Sequence, residues 1–262
     1  MNKMAIEIFN RFEHKYKLDT KTFHKVLEVM DRHMEFDSYC KGHSLYTIAN
    51  IYYDTPDNKL IRESLLKPVY KEKLRLRSYG VPDMDSKVFL EIKKKYRGLV
   101  NKRRTTLELK EAYDFVETGA APEIKDYMNG QVVNELEYFL SVYNLEPKVY
   151  IAYDRLAYFE KGNDDLRISF DTNIRTRRHD LSLEAGDYGE RLLSDDVWIM
   201  EIKTSLAKPI WLCEMLSELE IRNASFSKYG TEYEKMLARK RQAELKTSKQ
   251  DFYIFNTARQ AV

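Results

Sequence analysis

Apolar and charged residues alternate at the strand period in six segments of the chain, most clearly in Lys73-Leu74-Arg75-Leu76-Arg77. Successive strand side chains point to opposite faces, so such a segment backs a row of cations with an apolar wall. Along the whole chain, with these segments among them, strands are predicted over residues 6–18, 46–54, 70–79, 87–96, 102–109, 148–159, 166–175 and 197–204. In the first of these Arg11, Glu13, Lys15 and Lys17 share one face, and Phe12, Tyr16 and Leu18 the other, with His14 a packed residue on the apolar side. Helical spacing marks residues 20–34, a stretch after Thr55-Pro56 carrying Leu60, Ile61, Leu65 and Leu66, and residues 208–220 and 228–243. Residues 111–144 read as helical with one break at 119–122. From Lys246 onward the pattern stops, so 1–245 reads as one domain and 246–262 as a polar tail.

Seven or eight antiparallel strands with amphipathic helices between them give an α+β class. If the helices cover the apolar strand faces, the charged faces point inward, and a closed β-barrel is the economical geometry. The competing arrangement leaves each charged face in water, as in most half-buried sheets. The Arg/Lys bias on strands far apart in sequence favours the inward one. Arg175, Arg177 and Arg178 read instead as a solvated turn, and Tyr52 and Tyr53 as wall packing.

Composition narrows the chemistry. The 262 residues carry a net charge of only +2, so bulk charge gives no support for nucleic-acid binding, and positive sites must come from placement. No apolar run approaches the roughly 18 residues of a membrane span and no signal-peptide pattern opens the chain, which predicts a cytoplasmic, soluble protein. Cys40 and Cys213 have no metal spacing, and neither a phosphate-binding glycine loop nor a nucleophilic triad is present.

A cavity lined with cations needs an anionic ligand, because confined like charges repel. Rows of Arg forks and Lys ammonium groups suit the oxygens of an extended polyanion, such as a triphosphate or longer phosphate chain. The interspersed Glu13, Glu91 and Glu201 make sense if a divalent cation bridges carboxylate and phosphate.

The order of short motifs then resembles a known family. The motifs are Arg11-Phe12-Glu13-His14-Lys15-Tyr16, Tyr52-Tyr53-Asp54-Thr55, Lys73 to Gly80, Phe89-Leu90-Glu91-Ile92-Lys93, Lys102-Arg103-Arg104, Tyr153-Asp154-Arg155, Arg167, Glu201-Ile202-Lys203 and Ser227-Lys228-Tyr229-Gly230. Together they resemble the triphosphate tunnel metalloenzymes (the CYTH superfamily), and within them the polyphosphate polymerase domain of the vacuolar transporter chaperone complex. That resemblance implies an eight-stranded antiparallel tunnel with helices outside, using ATP and inorganic polyphosphate with Mn2+ or Mg2+. It implies catalytic roles for Arg75, Arg77, Arg155, Arg167 and Lys228, and substrate binding by Lys15, Lys93, Lys102, Arg104, Tyr153, Lys203 and Ser227. Glu201 would be the main metal carboxylate, with Glu13 and Glu91 secondary, and Lys102 with Arg104 is preferred over Arg103 as the inward pair. Lys73 is placed at the tunnel mouth. Arg11 stands where the superfamily usually has a first glutamate, which disfavours plain hydrolysis and leaves triphosphate hydrolysis or non-catalytic polyphosphate binding as alternatives.

Overall fold

The computed structural model describes residues 12–38, 40, 44–97, 99–205 and 207–260. Arg11 therefore lies outside the described residues. The strands are β1 (Phe12–Asp19), β2 (Met34–Phe36), β3 (Tyr46–Asp54), β4 (Tyr70–Tyr79), β5 (Lys87–Tyr96), β6 (Leu99–Glu108), β7 (Glu146–Glu160), β8 (Asn163–Arg177), β9 (Glu190–Arg191) and β10 (Val197–Thr204). The helices are α1 (Thr20–Met30), α2 (Lys59–Leu65), α3 (Leu109–Thr118), α4 (Gly130–Val142), α5 (Ile210–Glu218) and α6 (Lys228–Gln260). All eight strands expected from the sequence are present, and β2 and β9 are short additions too brief to show a period.

The sheet is antiparallel, in the order β1-β10-β8-β7-β3-β4-β5-β6. Its two end strands, β1 and β6, approach each other without forming a ladder. The expected barrel is thus barrel-like but not closed by strand pairing. Part of the free edge of β1 is taken instead by the chain before α6: Asn223 bridges Tyr16, and the Ala224 N–H donates to the Lys15 carbonyl at 2.7 Å. That pairing satisfies edge groups that β6 would otherwise have to reach.

Two apolar layers clothe the outside. Leu74, Leu76, Leu90, Ile92 and Leu107 are fully buried under Ala112 and Phe115 of α3 and Val132 and Leu136 of α4. Tyr16, Leu18, Ile168, Phe170, Met200 and Ile202 pack beneath α1 and α5. Each leucine so buried contributes about 2 kcal/mol relative to exposure, which holds the charged faces turned inward. His14 sits across from Ile202, whose side chain packs on this outer layer, so it faces away from the cavity.

A third cluster differs from expectation. Tyr229 and Tyr233 of α6 and Ile61 of α2 pack with Ile48, Tyr52, Val149, Ile151 and Ile199. The register puts Ile48, Tyr52 and Val149 on the same face as Arg75 and Arg77, so the first turns of α6 occupy one part of the inner face. The helices therefore lie outside for α1, α3, α4 and α5 but not for the start of α6. A bulge in β8 makes room: Asn173 takes φ of +47°, and the register slips between Ala152 and Asp154. The slip reverses the faces, so Asp171 before it and Ile174 after it both point inward.

Three further differences have local causes. The interruption expected at 119–122 extends to Asn129, whose side chain caps α4 by accepting from the Val132 N–H at 3.1 Å. Helix α6 runs to Gln260, past Lys246, since Ala, Glu, Lys and Gln favour helix even without an apolar stripe. The arginines after the bulge are not solvated. Arg177 donates to the carbonyls of Asp180, Ser182, Gly186 and Tyr188 and lies over the Tyr150 ring, while Arg178 forms a forked pair with Glu232. Among the described residues no helix is long and apolar enough to cross a membrane.

Candidate active site inside the sheet

The inner face is built from alternate residues of the eight long strands and the start of α6. On β4 and β5, Arg75 Nε donates to Glu91 Oε2 at 2.6 Å, Lys102 of β6 lies 3.5 Å from Glu91 Oε1, and Arg77 Nε is 4.0 Å from Oε2. Glu91 is 0% exposed. Although burial alone would raise its pKa, Arg75, Arg77 and Lys102 hold it well below the usual carboxylate range.

On β7 and β8, Arg155 makes a forked pair with Asp171, at 2.6 and 2.8 Å, and Lys228 of α6 meets the same carboxylate. Tyr153 joins the two groups: its hydroxyl accepts from Arg77 Nη2 at 3.1 Å, and its ring lies under Lys228 and Arg155. Burial opposes ionisation of that phenol, but Arg77, Arg155 and Lys228 overcome it and bring the pKa down to about 8.

A third group spans the seam. Lys15 lies 3.2 Å from Glu13 and 3.4 Å from Glu201, Lys203 is 2.7 Å from Glu201, and Lys93 crosses from β5 to Glu13 at 3.3 Å. Arg155 Nη2 sits 3.9 Å from Glu201 and connects this group to the second. Arg167 faces inward near Lys203 but is held by Asp37 at 2.7 Å, at the end of the cavity covered by the chain after β2. Arg104 faces inward over the Phe89 ring, whereas Arg103 points outward to Glu135 of α4 at 2.9 Å.

Residues 10–237 match the family model of the VTC domain. The chain belongs to the VTC domain family. A solved structure adds the fold: a candidate adenylate cyclase of Bacillus halodurans superposes with a TM-score of 0.50 over 84% of this chain and 96% of that one, at 14% identity. A Hippeastrum protein described as a candidate adenylyl cyclase with a dominant triphosphatase activity gives 0.47 over 86% and 93%, at 15% identity. No curated protein matches the chain.

This VTC domain thus gathers the residues proposed from sequence for phosphate and metal binding onto one inner surface, but not into one cluster. Glu13 and Glu201 share a locale, while Glu91 sits apart between Arg75 and Lys102. Among the described residues no group of three metal-ligating side chains forms. The Glu13–Glu201 pair nevertheless fits a hard divalent cation, which commonly takes one or two carboxylates and completes its shell with phosphate oxygens. Both carboxyls are held ionised against burial: Lys93, Lys203 and Lys15 act on Glu13, and Lys203, Lys15, Arg155 and Lys228 on Glu201.

Sequence reasoning missed the anchoring residues. Asp171 aligns Arg155 and Lys228, and Asn50 accepts from Arg77 Nε at 2.9 Å. Asp54 accepts from the N–H groups of Leu60 and Ile61 and from the Tyr229 hydroxyl, tying α2 and α6 together beside Lys228. Asp54 was visible within the Tyr-Tyr-Asp-Thr motif; Asn50 and Asp171 carried no signal beyond their strand parity.

Lys73 lies two residues inside the Lys71–Lys95 register pair, near the start of β4. It faces inward, donates to Ser227 Oγ at 3.3 Å and stands over Tyr229. Burial and then Lys93, Lys71 and Lys15 lower its pKa to about 7. Lys102 also falls to about 7, through burial and then Arg104, Arg77 and Arg75, against the pull of Glu91. Two opposite pH trends are therefore expected. Affinity for tripolyphosphate should weaken as pH rises through about 7, because these ammonium groups lose their protons. The free protein should gain stability over the same rise and up to the ordinary lysine range, because the unfolded chain then binds the more protons. Calorimetric titration and urea melts at stepped pH measure the two; parallel trends would contradict the assignment.

Proposed function

We propose that the chain transfers the γ-phosphoryl group of ATP to the end of an inorganic polyphosphate chain lying along this cationic surface. One observation carries the reading. The inward cations named above outnumber the carboxylates and extend from Arg155 across β3 to Arg75, Arg77 and Lys102, farther than a single phosphate would use. A polyanion would replace the carboxylates as partner for many of them at once.

In the proposed step a terminal phosphate oxygen of the acceptor attacks the γ-phosphorus in line. The bond from the γ-phosphorus to the bridging oxygen breaks, and ADP leaves with the electron pair. Arg75 and Arg77 on one side, and Arg155 and Lys228 on the other, would take the charge spread over the transferred group, already oriented by Glu91, Asn50 and Asp171. Lys15, Lys93, Lys203, Lys102 and Arg104 would hold the flanking phosphates, with Tyr153 and Ser227 offering hydroxyl donors. Arg167 would meet phosphates toward the end covered by Asp37. A Mg2+ or Mn2+ ion held by Glu201 and Glu13 would supply further charge neutralisation. The acceptor is already anionic, so no strong base is required.

Purified protein with ATP and Mn2+ or Mg2+ is expected to form long, acid-labile polymer together with ADP, and chelation by EDTA should stop it. Formation of ADP and free phosphate alone would overturn the polymerase reading. That second outcome would mean hydrolysis, which the neighbouring Glu13 and Glu201 carboxylates favour as a place to order water.

A further inference from the structure

One rim of the cavity combines exposed apolar side chains with unneutralised cations. Leu66 is 81% exposed and Val69 62%, on the link between α2 and β4. Tyr70 pairs with Tyr96, Tyr96 pairs with Leu99, and the Arg97 N–H donates to the Val69 carbonyl at 2.9 Å. These contacts bring the link and the β5–β6 turn into one patch, and Tyr70, Tyr96 and Leu99 are also exposed. Contiguous exposed apolar patches of this kind mark interaction sites.

The charge around the patch identifies the cover. Lys67 and Arg97 are exposed beside it. Lys71 lies close enough to Lys95, Lys67 and Lys93 for their charges to lower its pKa after burial has done so, with no carboxylate acting on it. Glu72, the acid next to Lys71 in the chain, is engaged by the hydroxyls of Tyr70 and Tyr143. Anionic polymer would answer the cations but leave Leu66 and Val69 in water. Apolar and aromatic side chains ringed by Lys and Arg match the boundary between acyl chains and anionic headgroups.

We propose that this rim docks on an anionic lipid bilayer, with Leu66, Val69 and Tyr96 at the headgroup–acyl boundary and Lys67, Lys95 and Arg97 against lipid phosphates. The contact is peripheral. It turns the end of the cavity that Lys71 and Lys95 border toward the membrane, and it does not depend on which phosphoryl reaction the interior performs.

Flotation with vesicles of equal parts phosphatidylglycerol and phosphatidylcholine tests this. The full chain should float with these vesicles and not with pure phosphatidylcholine. Leu66→Ser with Val69→Ser should lose binding, and Lys67→Asp with Arg97→Asp should weaken it at least about tenfold. Aspartate tolerates the positive φ found at Lys67 and Arg97, so the second pair reverses charge without straining the turns. Circular dichroism melts and tripolyphosphate affinity equal to the parent's would show that both variants are folded with an intact interior. Absence of binding by the parent would overturn the proposal. So would unchanged binding by the Leu66/Val69 variant, or equal binding to pure phosphatidylcholine. Loss of binding to added tripolyphosphate in the Lys67/Arg97 variant, without vesicle binding by the parent, would make the rim a polymer contact instead.

Discussion

Glu201→Gln is expected to lower kcat for phosphoryl transfer by about 10²–10³-fold while leaving the fold intact. The amide keeps the size of the carboxylate but removes the charge that Lys203, Lys15 and Arg155 now share at 2.7, 3.4 and 3.9 Å. Two consequences have opposite signs. The locale becomes more positive, so tripolyphosphate without metal should bind as tightly as in the parent, or tighter. The divalent ion loses its principal carboxylate, so the metal concentration for half-maximal turnover should rise steeply. A residue with only a structural role would weaken both kinds of binding together. Metal titrations of turnover, set beside metal-free calorimetry, separate the two cases; equal losses in both would remove Glu201 from the metal site.

Arg75→Met is expected to be among the most destabilising single changes in the interior, by about 3–5 kcal/mol, because it strands a fully buried carboxylate. Glu91 would keep only Lys102 at 3.5 Å and Arg77 at 4.0 Å, neither with the geometry of the 2.6 Å bond from Arg75 Nε. Adding Glu91→Leu to that variant should restore most of the lost stability, since the pair would then be replaced by apolar groups of similar size. Activity should not return with it, because Arg75 is also proposed to face the transferred phosphoryl group. Urea melts of the single and double variants check the coupling. Additive destabilisation would mean that Glu91 does not depend on Arg75.

Strand patterning placed all eight long strands, and in alternating segments such as Lys73 to Arg77 it also assigned the faces, because a one-residue error in parity would turn the cations against the helices and the leucines into the cavity. Leu74 and Leu76 are covered by α3 and α4 while Arg75 and Arg77 face inward, as Lys73 to Arg77 predicts. Parity also separates Lys102 and Arg104 from Arg103. What could not be read was pairing. Nothing local says that Arg155 is held by Asp171 sixteen residues later, or that Lys228 shares the same carboxylate across 57 positions. The burial of Arg177 was hidden for a like reason: its partners are backbone carbonyls, which leave no trace in residue identity.

By itself, then, the sequence determined the strands of the sheet and the row of cations along its charged face, and from these the expectation of a polyanionic ligand. Those follow from the alternation of side chains along a strand and from the transfer energy of leucine, both local properties. The tertiary structure alone decided where each charge finds its partner, how the seam between β1 and β6 is left unpaired, and that α6 enters the inner face. These depend on contacts between residues far apart in the chain. The bulge at Asn173 illustrates why: one left-handed residue reverses the faces of β8, so the inner surface changes from Asp171 beside Arg155 to Ile174 beneath the tyrosines of α6.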